Sequence, residues 1–203
     1  LVTMKWWNGI WLNEACATFA SMKCVDAYRP DWKIWLDFSA DRVHSMETDA
    51  LAATRPIEGA VASPVEANAM FDSLTYEKGA SVLRMLEQYL GEEAFRRGVS
   101  NYLKDNAYGN TDGDDLWLAL SEASGEPVKE IMETWIFQGG FPLVRVAGEP
   151  GDYTLTQQQF RYLGEGDRRW RLPVVVRSSE GEHRMLIEGA SAGVDAGDDL
   201  VVN

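Results

Sequence analysis

Cysteine, histidine and positive charge are all scarce in this sequence, and each shortage removes a class of function. There are two cysteines, Cys16 and Cys24. On one helix their spacing separates them by ~12 Å, beyond the reach of a disulfide. Two free thiols fit a reducing compartment, so the expected location is cytoplasmic. Neither thiol has a base nearby in sequence, and no Gly-x-Ser-x-Gly elbow occurs, so nucleophilic catalysis has no support. The two histidines are His44 and His183. His44 stands three residues from a carboxylate, Glu47, on what would be one helical face. Two ligands make a weak site, so this pair is expected to be a solvated surface pair. Lys and Arg number 19 against 32 Asp and Glu, a net charge of −13. That balance excludes the basic footprint of a nucleic-acid binder and disfavours an anionic membrane surface. In a peptidase it would mildly favour cationic substrates. No apolar run approaches the ~20 residues of a membrane span. No signal peptide, repeat or low-complexity stretch is visible.

What the chain does have is a large apolar fraction, 45%, with eight tryptophans. Its first two-thirds carries helical periodicity. Trp11, Ala15, Thr18, Phe19 and Met22 form one stripe of a helix running to Val25. A second helix is expected to start after Pro30 and run through Trp32, Trp35, Leu36, Val43 and Met46. Arg55 to Pro64, with two prolines and Gly59, reads as an extended connection. Helices then follow over Leu74 to Leu90, stopped by Gly91, and over Glu92 to Ala107. A further helix is capped by Thr111 and ends at Gly125, and a last one has Pro127 in its first turn. The cluster Asp112-Gly113-Asp114-Asp115 lacks the terminal glutamate of a calcium loop. It reads as negative charge at a helix N-terminus. After Gly139-Gly140 the pattern changes to short strands: Phe141 to Val146, Tyr153 to Phe160, Leu172 to Arg177 and His183 to Ile187. The abrupt opening at Leu1 and the closing apolar run Leu200 to Val202 are expected to mark an excised piece. In such a piece the Trp6-Trp7 pair and the Trp11 face would lie open.

Two residues stand out for chemistry. Glu14 sits among apolar neighbours in Trp11-Leu12-Asn13-Glu14-Ala15, where a carboxylate is costly unless paired or metal-bound. On pattern alone it reads first as a partly exposed glutamate in a first helical turn. Tyr76, in Leu74-Thr75-Tyr76-Glu77-Lys78-Gly79-Ala80, is on pattern alone a packed amphipathic tyrosine. Its functional alternative is a phenol donor to a developing oxyanion.

The stretch from Leu1 to Glu14, ending Trp11-Leu12-Asn13-Glu14, resembles the sequence that follows the His-Glu-x-x-His helix of the zinc aminopeptidase N family, a group of gluzincin metallopeptidases. Met70 to Ala80 resembles that family's second signature. Further matches are Leu83 to Leu86, Tyr108-Gly109-Asn110, Asp115-Leu116-Trp117 and Gly140-Phe141-Pro142-Leu143. The resemblance implies that Glu14 is the third zinc ligand and that Tyr76 stabilises the tetrahedral intermediate. The zinc histidines, the general-base glutamate between them and the Gly-x-Met-Glu-Asn motif that holds the substrate amine would all precede Leu1. Gly9, Ala15-Cys16 and Thr54-Arg55-Pro56-Ile57 depart from the common pattern, and Arg55 is expected to alter the wall of the cleft.

The expected fold is therefore mainly α, α+β overall. Residues 1–141 form the C-terminal helical lobe of a thermolysin-like catalytic domain, and 142–203 a partial β-sandwich. The implied function is part of a zinc-dependent aminopeptidase acting on the N-terminal residues of peptides. Zn2+ would be held in the full-length parent, and the isolated piece would be inactive. The alternative is a non-catalytic helical module that binds a peptide or protein in its aromatic-rich grooves.

Overall fold

The computed structural model describes residues 2–202. A short strand β1 (Thr3–Met4) leads through a 3-10 turn into α1 (Ile10–Tyr28), which buries Trp11, Leu12, Ala15 and Phe19. The expected second helix starts later than its apolar pattern suggests. Pro30–Trp32 form a separate 3-10 turn, and Lys33 takes a left-handed conformation with φ 50°. That conformation breaks the helix, so α2 runs only over Ile34–Asp49. The break rotates the buried face onto Phe38, Ser45 and Asp49, and leaves Trp32, Leu36 and Val43 exposed.

The connection after α2 is extended as expected, but it contains a short helix α3 (Pro64–Ala69). Its signal was in the sequence. The Ser63 hydroxyl accepts the Glu66 N–H at 3.3 Å, Pro64 opens the first turn, and Glu66 reaches back to the Ala62 N–H at 2.6 Å. Leu74–Lys78 then form a π-helical turn that continues directly into α4 (Gly79–Leu90). Such turns are rare and gather at functional sites.

Two further helices, α5 (Glu92–Asp105) and α6 (Gly113–Ser124), pack closely against each other, and α7 (Val128–Ile136) closes the helical part. Thr111 does not cap α6. It lies in a strand β2 (Asn110–Thr111), which pairs parallel with β1, and its buried hydroxyl meets the Tyr102 phenol at 2.6 Å. The cap is Asp112, closed into a box with Asp115. The negative charge expected at this helix start is met by Lys5, whose ammonium lies 2.9 Å from Asp112 and 3.1 Å from Asp115.

The remaining chain forms two antiparallel three-stranded sheets. One has the order β3 (Pro142–Glu149), β4 (Asp152–Gln159), β7 (Ser191–Val194). The other has the order β6 (Gly181–Ile187), β5 (Leu172–Ser178), β8 (Val201–Val202). Leu155, Trp170, Val174, Val176 and Ile187 from this part join Trp135, Leu86 and Trp11 in one continuous buried cluster. The molecule is mainly helical with a smaller β portion.

The two portions are joined at Gly139-Gly140 by a buried ion pair. Lys78 Nζ lies 2.7 Å from Asp49 and donates to the Gly140 carbonyl at 3.0 Å. Asp49 also accepts the Gly140 N–H at 2.7 Å and the Thr54 hydroxyl at 2.6 Å. Burial lowers the proton affinity of Lys78, and the Asp49 carboxylate opposes that shift. Gly140 has φ 91°, and a Cβ there would meet the Gln159 side chain. The ion pair thus anchors the C-terminal end of the π-turn that carries Tyr76.

Candidate active site

Glu14 lies one turn into α1, half-buried beside the buried Trp11, Leu12 and Ala15. No ion pair among the described residues involves it. Tyr76 lies at the centre of the π-turn, also half-buried. The two side chains come together. Burial first, and the Glu14 carboxylate second, push the Tyr76 phenol above its ordinary value, with Glu77 adding to the effect. A phenol in that setting stays protonated at neutral pH and keeps its capacity to donate.

What brings them together is the contact between α1 and the junction of the π-turn with α4. Gly79 faces Ala15 there, and a Cβ added at Gly79 would lie 2.7 Å from the Ala15 Cβ. Both residues are fully enclosed. The missing side chain at Gly79 lets the two backbones approach this closely, so the small pair sets the spacing of the groups beside it. Gly79→Ala is expected to destabilise the fold by about 1–3 kcal/mol through overpacking, measurable as a lowered denaturation midpoint at unchanged slope.

The start of the π-turn is tied down by Asp72 and Arg55. Asp72 accepts the Leu74 and Thr75 N–H groups at 3.0 and 3.1 Å. Arg55 donates to Asp72 at 2.6 Å and to the Thr75 hydroxyl at 3.0 Å. The start of α1 is held by Glu58, which accepts the Asn8 amide at 2.5 Å and the Trp11 indole N–H at 2.7 Å. Trp11 is fully buried, stacked on Trp117 at a ring separation of 5.9 Å. The open aromatic face expected of Trp11 is therefore absent, while Trp6 and Trp7 are exposed. With Val61, Pro64 and Phe71 they line an apolar hollow of about 360 Å³. Phe71, on the wall of the hollow, also packs on Tyr76 with ring centroids 6.5 Å apart.

Other candidates recede. His44 and Glu47 pair at 3.6 Å on an exposed face. No cluster of three or more metal-ligating side chains occurs among the described residues. Cys16 and Cys24 are free, both on α1, and burial pushes the Cys16 thiol up to about 12, which removes it as a nucleophile. Of the residues that support the site, sequence reasoning singled out only Arg55, as a change in the cleft wall. Glu58 carries no local signal, because its partners Asn8 and Trp11 lie in another segment of the chain, whereas Asp72 just before the π-turn is a readable cap for the Leu74 and Thr75 N–H groups.

Comparison with known proteins gives a consistent assignment. The peptidase family M1 domain matches residues 1–135. Tricorn protease-interacting factor F2 of Thermoplasma acidophilum is 46% identical over 190 residues, covering 93% of this chain and 24% of that protein. Leucyl aminopeptidase of Saccharolobus solfataricus is 46% identical over 165 residues, covering 81% of this chain and 21% of that protein. Aminopeptidase M1 of Arabidopsis thaliana is 40% identical over 198 residues, covering 96% and 22%. The chain thus spans about a quarter of the length of these curated relatives.

Proposed function

This chain belongs to the M1 peptidase family, and from that premise we propose that it is the stretch of a zinc-dependent aminopeptidase that supplies one metal ligand and the oxyanion donor. The observation that carries the reading is the packing of α1, which bears Glu14, on the π-turn that bears Tyr76, close enough for the carboxylate to act on the phenol. A half-buried carboxylate with no cationic partner among the described residues suits a divalent cation, and zinc accepts carboxylate oxygen. Glu14 is one ligand of the three that a catalytic zinc needs, so the isolated chain is expected to be inactive and to hold zinc poorly. When bound, the metal would polarise the carbonyl under attack as a Lewis acid.

The chain's own contribution is positional and electrostatic. Tyr76 is protonated and held on a turn fixed at both ends, by Asp72 before it and by Lys78 behind it. It therefore presents a preorganised donor to an oxygen that gains charge as the peptide bond is attacked. The hollow between Trp6, Trp7 and Phe71 offers an apolar surface to a side chain of a peptide substrate. The free thiols support a reducing, cytoplasmic setting, and no helix among the described residues is long and apolar enough to cross a membrane.

The test is release of a dye from amino-acid amides by the whole protein. Activity is expected, to be lost on chelation and restored by zinc. A folded, zinc-loaded whole protein that cleaves no amide would overturn the reading. The exposed aromatic hollow would then favour the alternative, a peptide- or protein-binding module.

A further inference from the structure

The segment Arg55-Pro56-Ile57-Glu58 touches the supports of both functional side chains. At one end, Arg55 uses its two terminal nitrogens on five acceptors: the Pro56 and Ile57 carbonyls at 2.7 and 3.1 Å, the Met70 carbonyl at 3.3 Å, Asp72 at 2.6 Å and the Thr75 hydroxyl at 3.0 Å. Thr75 is fully buried and immediately precedes Tyr76. At the other end, Glu58 spreads its two oxygens over Asn8 and Trp11. Trp11 is one helical turn before Glu14, on the same face of α1. Between them Ile57 is wholly buried, and the Glu58 N–H donates to the Ile136 carbonyl at 3.0 Å, so the segment itself is anchored.

We infer that this segment is a bracket that sets the separation of Glu14 and Tyr76, with Arg55 positioning the tyrosine and Glu58 positioning the helix that carries the glutamate. Neither residue touches a reacting atom. Each acts through a buried neighbour, Thr75 in one case and Trp11 in the other. The chemistry of each end fits its task. A guanidinium offers several donors in a rigid plane and can hold carbonyl, carboxylate and hydroxyl acceptors at once. A carboxylate accepts on two oxygens and can fix an indole and an amide together. The inference rests on the roles proposed above for Glu14 and Tyr76.

The two ends predict separable failures. In the whole protein, Arg55→Ala is expected to speed amide exchange in the 72–79 segment, leave zinc content at the wild-type level, and lower kcat about 10–100-fold with KM nearly unchanged. Arg55→Lys keeps the charge but not the planar fork, and should lose most of the same activity while melting close to wild type. Glu58→Ala is expected instead to speed exchange across the first turns of α1 and weaken zinc affinity about 10–100-fold. Glu58→Gln keeps an oxygen for the Trp11 indole and should restore much of that affinity. Exchange is read by mass spectrometry, zinc by elemental analysis after dialysis, and folding by thermal melting. The bracket is refuted if the Arg55 variants keep wild-type kcat, if exchange is unchanged in both segments, or if all variants lose zinc, activity and melting temperature together. Tyr76→Phe, run in parallel, separates the two ideas. A fully active Tyr76→Phe sinks the role of the tyrosine, whereas the exchange pattern reports on the bracket by itself.

Discussion

Tyr76→Phe in the whole protein is expected to lower turnover about 10²–10³-fold, equivalent to ~2.7–4 kcal/mol of transition-state stabilisation, with little change in the Michaelis constant. The substitution removes one oxygen and leaves the ring, so the packing of Phe71 on Tyr76 and the π-turn should persist. A donor that engages only when charge develops contributes to the transition state and not to the ground state, so its loss falls on kcat. Zinc content should match the wild type, because the phenol is not proposed as a ligand. Steady-state kinetics on amino-acid amides, with zinc measured in parallel, decide the matter. Full turnover by the variant would remove Tyr76 from the mechanism.

Glu14→Ala should fail differently. Loss of one ligand from a three-ligand set costs much of the metal affinity, so the purified variant is expected to be zinc-poor and nearly inactive, with activity partly recovered at raised zinc. The fold should survive. Glu14 is half-buried and has no ion-pair partner among the described residues, and alanine is the best helix former. Dialysis against zinc followed by elemental analysis is the direct measurement. Stoichiometric zinc in the variant would show that Glu14 is not a ligand.

Much of the architecture was legible in the chain itself. The apolar spacing of Trp11, Ala15 and Phe19 marked α1, and Leu83, Leu86 and Leu90 marked α4, because burial of one stripe is what makes a helix stable in a globular protein. Gly91 and Gly125 marked helix ends where the backbone takes positive φ. The change to strands after Gly139-Gly140 showed in the clusters of turn residues that separate short apolar runs. The misses have local causes. Lys33 adopts a left-handed conformation that a lysine does not advertise, and this moved the start of α2. Thr111 lost the capping role to Asp112 because its hydroxyl is engaged by Tyr102, a partner nine residues away. The Ser63-Pro64-x-Glu66 start of α3 was readable and is explained by ordinary capping chemistry.

Family membership, the helix-then-strand order and the identity of Glu14 and Tyr76 as candidates were determined by the sequence alone, because each resides in a contiguous motif or a local period. The meeting of those two side chains was decided only by the tertiary structure. It depends on the close backbone approach that Gly79 permits opposite Ala15, on a π-turn whose extra residue has no sequence signature, and on Arg55 reaching Asp72 and Glu58 reaching Trp11 across the chain. Local propensity acts over a few residues, whereas a site is assembled by contacts between segments, and those exist only once the chain has packed.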